Sequence, residues 1–252
     1  MMSTASADPG ERAFLGTAAL LFASGVAVTV HERMAMSMSP WMPMPGQSWP
    51  GAAAAFLGMW VAMMVAMMLP SLWPMLRRYR RSLVRAGETR LDPLTALVAV
   101  GYFAVWSAFG LVAFALGVVL MSLEMRAPGI ARAIPFTVSV LFVIAGGLQF
   151  SSWKARHLAC CRGIPGYGRN LPADAGTAWR YGLHCGLHCS YCCAGLTAVL
   201  FGLGVMDLRA MVAVTVAITT ERLAPGGVRF ARATGVVVIG VGLFLLVRAA
   251  GF

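Results

Sequence analysis

Apolar positions in this 252-residue chain fall in long unbroken runs, not in the alternation of a half-buried strand or the one-sided stripe of a surface helix. Seven runs stand out, near residues 13–30, 51–73, 94–121, 134–150, 179–204, 207–222 and 233–250, separated by short polar or arginine-rich segments. Roughly 20 mostly apolar residues carry a helix across a hydrocarbon core of about 30 Å. The pattern therefore predicts an all-α, polytopic transmembrane helical bundle of six or seven spans, the short sixth run deciding the number. Membrane β-strands would alternate, which argues against a barrel. The first run is long for the apolar region of a signal peptide, and no small-x-small cleavage site follows Val30, so it reads as an anchor. Residues 1–252 read as a single integral membrane domain, because neither an internal repeat nor a shift in composition divides them.

Composition agrees. The chain is 59% hydrophobic and 12% charged, whereas a soluble domain carries about a quarter charged residues. Its first partner is the lipid bilayer. A net charge of +11 would point to nucleic acid in a soluble protein, but here the basic residues sit beside the spans, where they set orientation. Placing the N-terminus in the cytoplasm puts 15 of the 20 basic residues inside, among them Arg77, Arg78, Arg80, Arg81 and Arg85 in one run, Lys154, Arg156 and Arg162 in another, and Arg222. The expectation is a multi-pass protein of the bacterial inner membrane, with its C-terminus outside if there are seven spans, and no nucleic-acid partner. Cysteines lie only in the second half and avoid the outward segments, unlike a secreted disulfide framework.

Methionine changes the picture. Eleven of the 17 lie between Met34 and Met75. The outward segment HERMAMSMSPWMPMPGQSWP, His31 to Pro50, carries Met34, Met36, Met38, Met42 and Met44, with prolines that disfavour a regular helix. A thioether needs no deprotonation, so such a loop suits capture of Cu(I) in an oxidising compartment; the plainer reading is an adaptable apolar loop on the membrane surface. The second run contains MWVAMMVAMMLPS. At about 100° per residue, Met59, Met63 and Met67 share one helix face and Met64 and Met68 the next row. Packing against neighbouring helices is the plainer alternative there as well. Pro70 and Pro74 are expected to disturb the inner end of this span.

The densest chemistry is HCGLHCSYCC, His184 to Cys193, in the inner half of the fifth run. Taking Cys185 as zero, Cys189 falls near about +40°, Cys192 near −20°, Cys193 near +80° and His188 near −60°, so one face presents four thiols and an imidazole. A buried cysteine alone is often a small hydrophobe, but four within nine residues, interleaved with His184 and His188, point to metal or redox work. The segment from Ser151 to Trp179 reads as an inward loop. It adds His157, Cys160 and Cys161, either as a separate ligand set or folded against the Cys185 end, with Lys154, Arg156 and Arg162 placed to favour thiolate. Asp207, Glu221 and Gln149 read as helix-end or interhelical contacts.

The combination of Trp60 to Pro70 (WVAMMVAMMLP), Lys154 with His157 and Cys161-Arg162, Gly186 to Cys193 (GLHCSYCC), Val205-Met206-Asp207 and Glu221-Arg222 resembles the DUF2182 family of metal-binding integral membrane proteins over residues 50–235, in the family's order and spacing. The resemblance implies a copper-chaperone role; some relatives are associated with tyrosinase-type copper oxidases. It places Cys161, Cys189, Cys192 and Cys193 at the family's cysteine positions and Met63, Met64, Met67 and Met68 at its methionine positions. The chain departs at His157, where a cysteine is usual, at His188, where an aromatic is usual, and at Ala194, where tryptophan is expected. The first two changes each supply an imidazole.

Together these features predict a non-enzymatic protein that handles Cu(I), with Zn(II) an alternative cargo for a Cys/His set, and that supplies a copper-dependent oxidase or exchanges with a soluble copper carrier. Two rivals stand beside it. A quinone-linked thiol oxidoreductase would use Cys189-x-x-Cys192 but would also need an outward cysteine pair, which is lacking; the other rival is a structural subunit of a membrane complex.

Overall fold

The computed structural model describes residues 9–35, 46–162, 173–205 and 207–251, with the side chains of residues 9, 32–35, 128 and 130–132 left aside. These residues form eight helices: α1 (Pro9–Ala35), α2 (Trp49–Arg85), α3 (Leu91–Arg126), α4 (Pro128–Leu148), α5 (Ser152–Arg162), α6 (Ala175–Leu203), α7 (Leu208–Leu223) and α8 (Gly227–Ala249). Five are long and apolar enough to cross a membrane, and α4 with α5 makes a sixth if the pair, bent by 64°, counts as one broken span. The all-helical bundle predicted from the apolar runs is what forms. The short sixth run becomes α7, whose 16 residues fall below the length a span needs.

Two boundaries differ from expectation. Helix α2 runs on through Pro70 and Pro74 to Arg85, 37 residues or about 55 Å, longer than the hydrocarbon layer. The two prolines do not end it: neighbouring helices in a bundle re-satisfy the backbone groups that a proline frees. The segment from Ser151 opens as a helix instead of a loop. Ser151 Oγ donates to the Leu148 carbonyl and accepts from the Lys154 amide, ending α4 and starting α5 in a new direction.

Large apolar side chains face outward along α3 (Val112, Leu116, Leu120) and α8 (Val236, Val237, Phe244), the inverse of a soluble surface. Polar signals mark the helix starts. Ser48, Asp174 and Asp207 cap α2, α6 and α7, each accepting an amide of the first turn. One end of the bundle collects the cations: Arg77 pairs with Glu11, Arg80 with Asp92, and Arg162 donates to the Glu221 and Pro225 carbonyls. We call this the basic end.

Without water to expel, membrane helices associate through close backbone approach at small residues. The α3–α6 contact is built this way. Gly182 and Gly186, four apart on α6, lie against Gly101 and the backbone of α3; a Cβ on Gly186 would meet the Tyr102 carbonyl oxygen at 2.9 Å, and one on Gly101 the Trp179 carbonyl oxygen at 2.8 Å. The α4–α8 pair meets similarly at Gly146 and Gly235. Substituting Gly182→Val should force α3 and α6 apart at a cost of about 1–3 kcal/mol, the usual range for overpacking. A fall in the midpoint of thermal unfolding in detergent is the expected result, while Gly58→Val, at a glycine with open space around it, should leave the midpoint unchanged.

Candidate metal centre

Three elements converge near the basic end: α5, the first half of α6 and the last turn of α7. Cys160 of α5 meets His184 and His188 of α6, one helical turn apart, with their ligand atoms within 4.8 Å of one another. His157 joins them, its Nδ1 3.1 Å from Nδ1 of His188. One thiol and three imidazoles thus gather at a partly exposed mouth. This is a mixed soft and borderline donor set of the kind that holds copper or zinc.

One turn further in the donors change character. Cys189, Cys192 and Cys193 are buried, with Cys189 Sγ 3.8 Å from Cys193 Sγ. Cys161 from α5 faces Cys192 within hydrogen-bonding reach. Cys185, half-buried on α6, sits between the two groups, one turn before Cys189 and beside Cys160. Neighbours in sequence therefore serve different tiers: Cys160 belongs to the mouth, and Cys161, itself half-buried, reaches toward the buried thiols. Of the alternatives left open by the HxxCC spacing, the fold against α6 is what forms, and the two cysteines meet it at different levels because consecutive residues on a helix diverge by about 100°.

The buried tier is enclosed by polar groups. Tyr102 OH donates to Cys189 Sγ at 2.9 Å, and Arg222 Nη1 donates to the same sulfur at 3.2 Å and to Ser71 Oγ at 2.8 Å. Lys154 Nζ donates to the Cys192 carbonyl oxygen and to Glu221 Oε2, both at 2.7 Å. This corrects the expected role of the nearby cations. Lys154 reaches past Cys160 and Cys161 into the core, Arg156 returns to the Ser152 carbonyl, and Arg162 ties down the end of α7. Lys154 and Arg222, expected among the orienting charges, are both buried.

Sequence reasoning did not single out Tyr102, Ser71 or Arg222 as neighbours of the thiols. Glu221-Arg222 carried a usable signal, two charges at the end of an apolar run, which are costly in a membrane unless partnered. Tyr102 and Ser71 carried none. Asp207 and Glu221 fill the helix-end and interhelical roles expected of them, and Gln149 lies buried at the end of α4.

Two aromatic stacks fix α2 against α6. Trp60 stacks on Phe201 (5.6 Å) and Tyr79 on Tyr181 (5.4 Å), so the 19-residue step from 60 to 79 runs antiparallel to the 20-residue step from 181 to 201. Counting in from either stack puts Met68 level with Cys192 and Cys193, and Ser71 level with Cys189 or Ser190, as its link through Arg222 requires. Met67, Met64, Met63 and Met59 follow away from the basic end, all buried in the core as the plainer reading, packing against neighbouring helices, expects. Met34 falls in the last turn of α1 with its side chain left aside; Met36, Met38, Met42 and Met44 lie outside the described residues.

A sequence model of the family described as PpoB2, copper chaperone, matches residues 57–245, three quarters of the chain, and the chain belongs to that family. The match takes in every residue of both tiers and the α2 methionines, and it leaves out the methionine-rich segment before Pro50. No curated protein and no solved structure matches the chain.

Removing one partner of a buried ion pair strands the other, so Lys154→Met should lower stability by about 3–5 kcal/mol. The double variant Lys154→Met, Glu221→Leu should recover most of that loss. Thermal unfolding in detergent without added metal reads both; equal midpoints for the two variants would show that the pair is not what holds α5 to α7.

Proposed function

From its place in the copper-chaperone family, we propose that this chain is a multi-pass membrane carrier that receives Cu(I), holds it on thiols inside the bundle and passes it to a cuproenzyme. Copper is cargo here, and the chain acts on it by ligand exchange, without chemistry on a substrate. The observation that carries the reading is the contiguity of the two tiers. An ion at Cys160, His184 and His188 is one helical turn from four thiols, with Cys185 between them. A ligand-by-ligand handover needs such spacing, because each new bond can form before the previous one breaks.

The order of donors supports transit. Imidazole and one thiol at the mouth are weaker and more exchangeable for Cu(I) than the thiol cluster beyond them, and the thioethers of Met68, Met67, Met64, Met63 and Met59 continue the line along α2. Thiols and thioethers suit Cu(I) better than Zn(II), which prefers a closed tetrahedral set. The concentration of cations at one end supports a cytoplasmic basic end, hence a mouth facing soluble copper carriers and an opposite end facing a copper-dependent oxidase. The likeness to DUF2182 proteins points to an oxidase of the tyrosinase type as recipient.

The test is anaerobic purification and Cu(I) titration against a chelator of known affinity. The parent chain should bind Cu(I), and Cys189→Ser, Cys192→Ser, Cys193→Ser together should weaken binding by about 100-fold or more. Cys160→Ala, His184→Ala, His188→Ala should leave the tightest site intact and slow exchange with a soluble copper carrier. Binding should weaken as pH falls, because protons compete for the thiolates. Equal stoichiometry and affinity in the parent and the cysteine variant would end the proposal.

A further inference from the structure

The core around the thiols carries an uncompensated charge. Lys154 and Glu221 neutralise each other at 2.7 Å. Arg222, 7% exposed, pairs with no carboxylate among the described residues; its partners are the Ser71 hydroxyl and Cys189 Sγ, and its Nε has no partner. A guanidinium stays protonated in proteins, so this charge is permanent. An isolated buried charge is costly, and an opposite charge brought into the site removes that cost. Among the described residues, that opposite charge can arise at the cargo site, since Arg222 touches a thiol sulfur.

Resting on the proposed carriage of Cu(I), we infer that Arg222 is a specificity-determining residue, a fixed countercharge by which the buried thiols favour a monovalent soft ion over a divalent one held by the same number of thiolates. The arithmetic is simple. Two thiolates and a monovalent ion sum to −1, which Arg222 brings to zero; two thiolates and a divalent ion sum to zero and leave Arg222 uncompensated. Each thiol loses its proton to solvent as the ion binds, so no electron changes hands. The arrangement differs from general attraction of cations, which a positive residue would oppose. Arg222 rewards the charge of the finished complex and disfavours a divalent ion held by two thiolates in the same way.

Ag(I) and Hg(II) make the test direct, because both take two thiolates in a line and differ in charge. Their affinities are measured on the full chain by competition with a dithiol, which strips imidazole sites, for the parent, Arg222→Gln and Ser71→Asp. The second variant keeps Arg222 in place and sets a carboxylate where the hydroxyl now lies 2.8 Å from it, so the charge is cancelled without leaving a hole. Both variants should lose about tenfold or more in Ag(I) affinity and hold Hg(II) within about threefold. Tyr102→Phe, which removes an uncharged donor from the same sulfur, should move both ions together. If the Ag(I) to Hg(II) ratio in Ser71→Asp equals that of the parent, the inference fails, whether or not Arg222→Gln folds. Should the parent itself bind no Ag(I), the carrier reading falls first and this one with it.

Discussion

The arrangement depends on a buried ion pair. Lys154 reaches from α5 to Glu221 of α7 and to the Cys192 carbonyl of α6, so one ammonium holds three helices at the level of the thiols. In a medium that cannot solvate charge, such a group must find its partners inside the protein. That requirement places α5. This helix is 11 residues long and buries only Lys154 and Leu158, so its apolar contacts alone would leave it free to swing. Anchored by Lys154, it turns His157 and Cys160 to the mouth and Cys161 to the interior.

The second constraint is steric. Gly101, Gly182 and Gly186 let α3 and α6 touch backbone to backbone, and this brings Tyr102 over Cys189. On the other side the aromatic stacks hold α2 at a fixed register, so Ser71 and Met68 meet the same layer. Close packing supplies the position and the polar groups supply the environment. A thiol cluster on α6 alone would be four sulfurs on a lipid-facing helix.

Gradation is the functional consequence. Donors run from mixed imidazole and thiol at the basic end, through buried thiols, to thioethers along α2, and membership in the copper-chaperone family is what points the proposed gradient to copper. In the proposed carriage, an ion passing from the mouth to the buried thiols would gain affinity as it loses water, and the uncharged thioethers beyond would hold it more weakly. Under the inference drawn above, Arg222, in contact with Cys189 Sγ, would add a charge criterion that ligand type by itself does not supply.

Much of this was legible in the chain. Seven apolar runs determined an all-helical membrane bundle because lipid allows few other ways to satisfy a backbone. The 3.6-residue repeat placed Met59, Met63, Met64, Met67 and Met68 on one broad face, and Cys185, Cys189, Cys192 and Cys193 on another; both depend only on the geometry of one helix. Tertiary structure decided what lies between helices. It sent Cys160 and Cys161 to different tiers, carried α2 past Pro70 and Pro74, and turned Lys154 and Arg222 from orienting charges into buried partners of the site. A charge at the end of an apolar run has the same local pattern whether it points to the headgroups or to the core. Only the packing of α5 and α7 against α6 settles which, because the cost of burying it depends on what stands opposite.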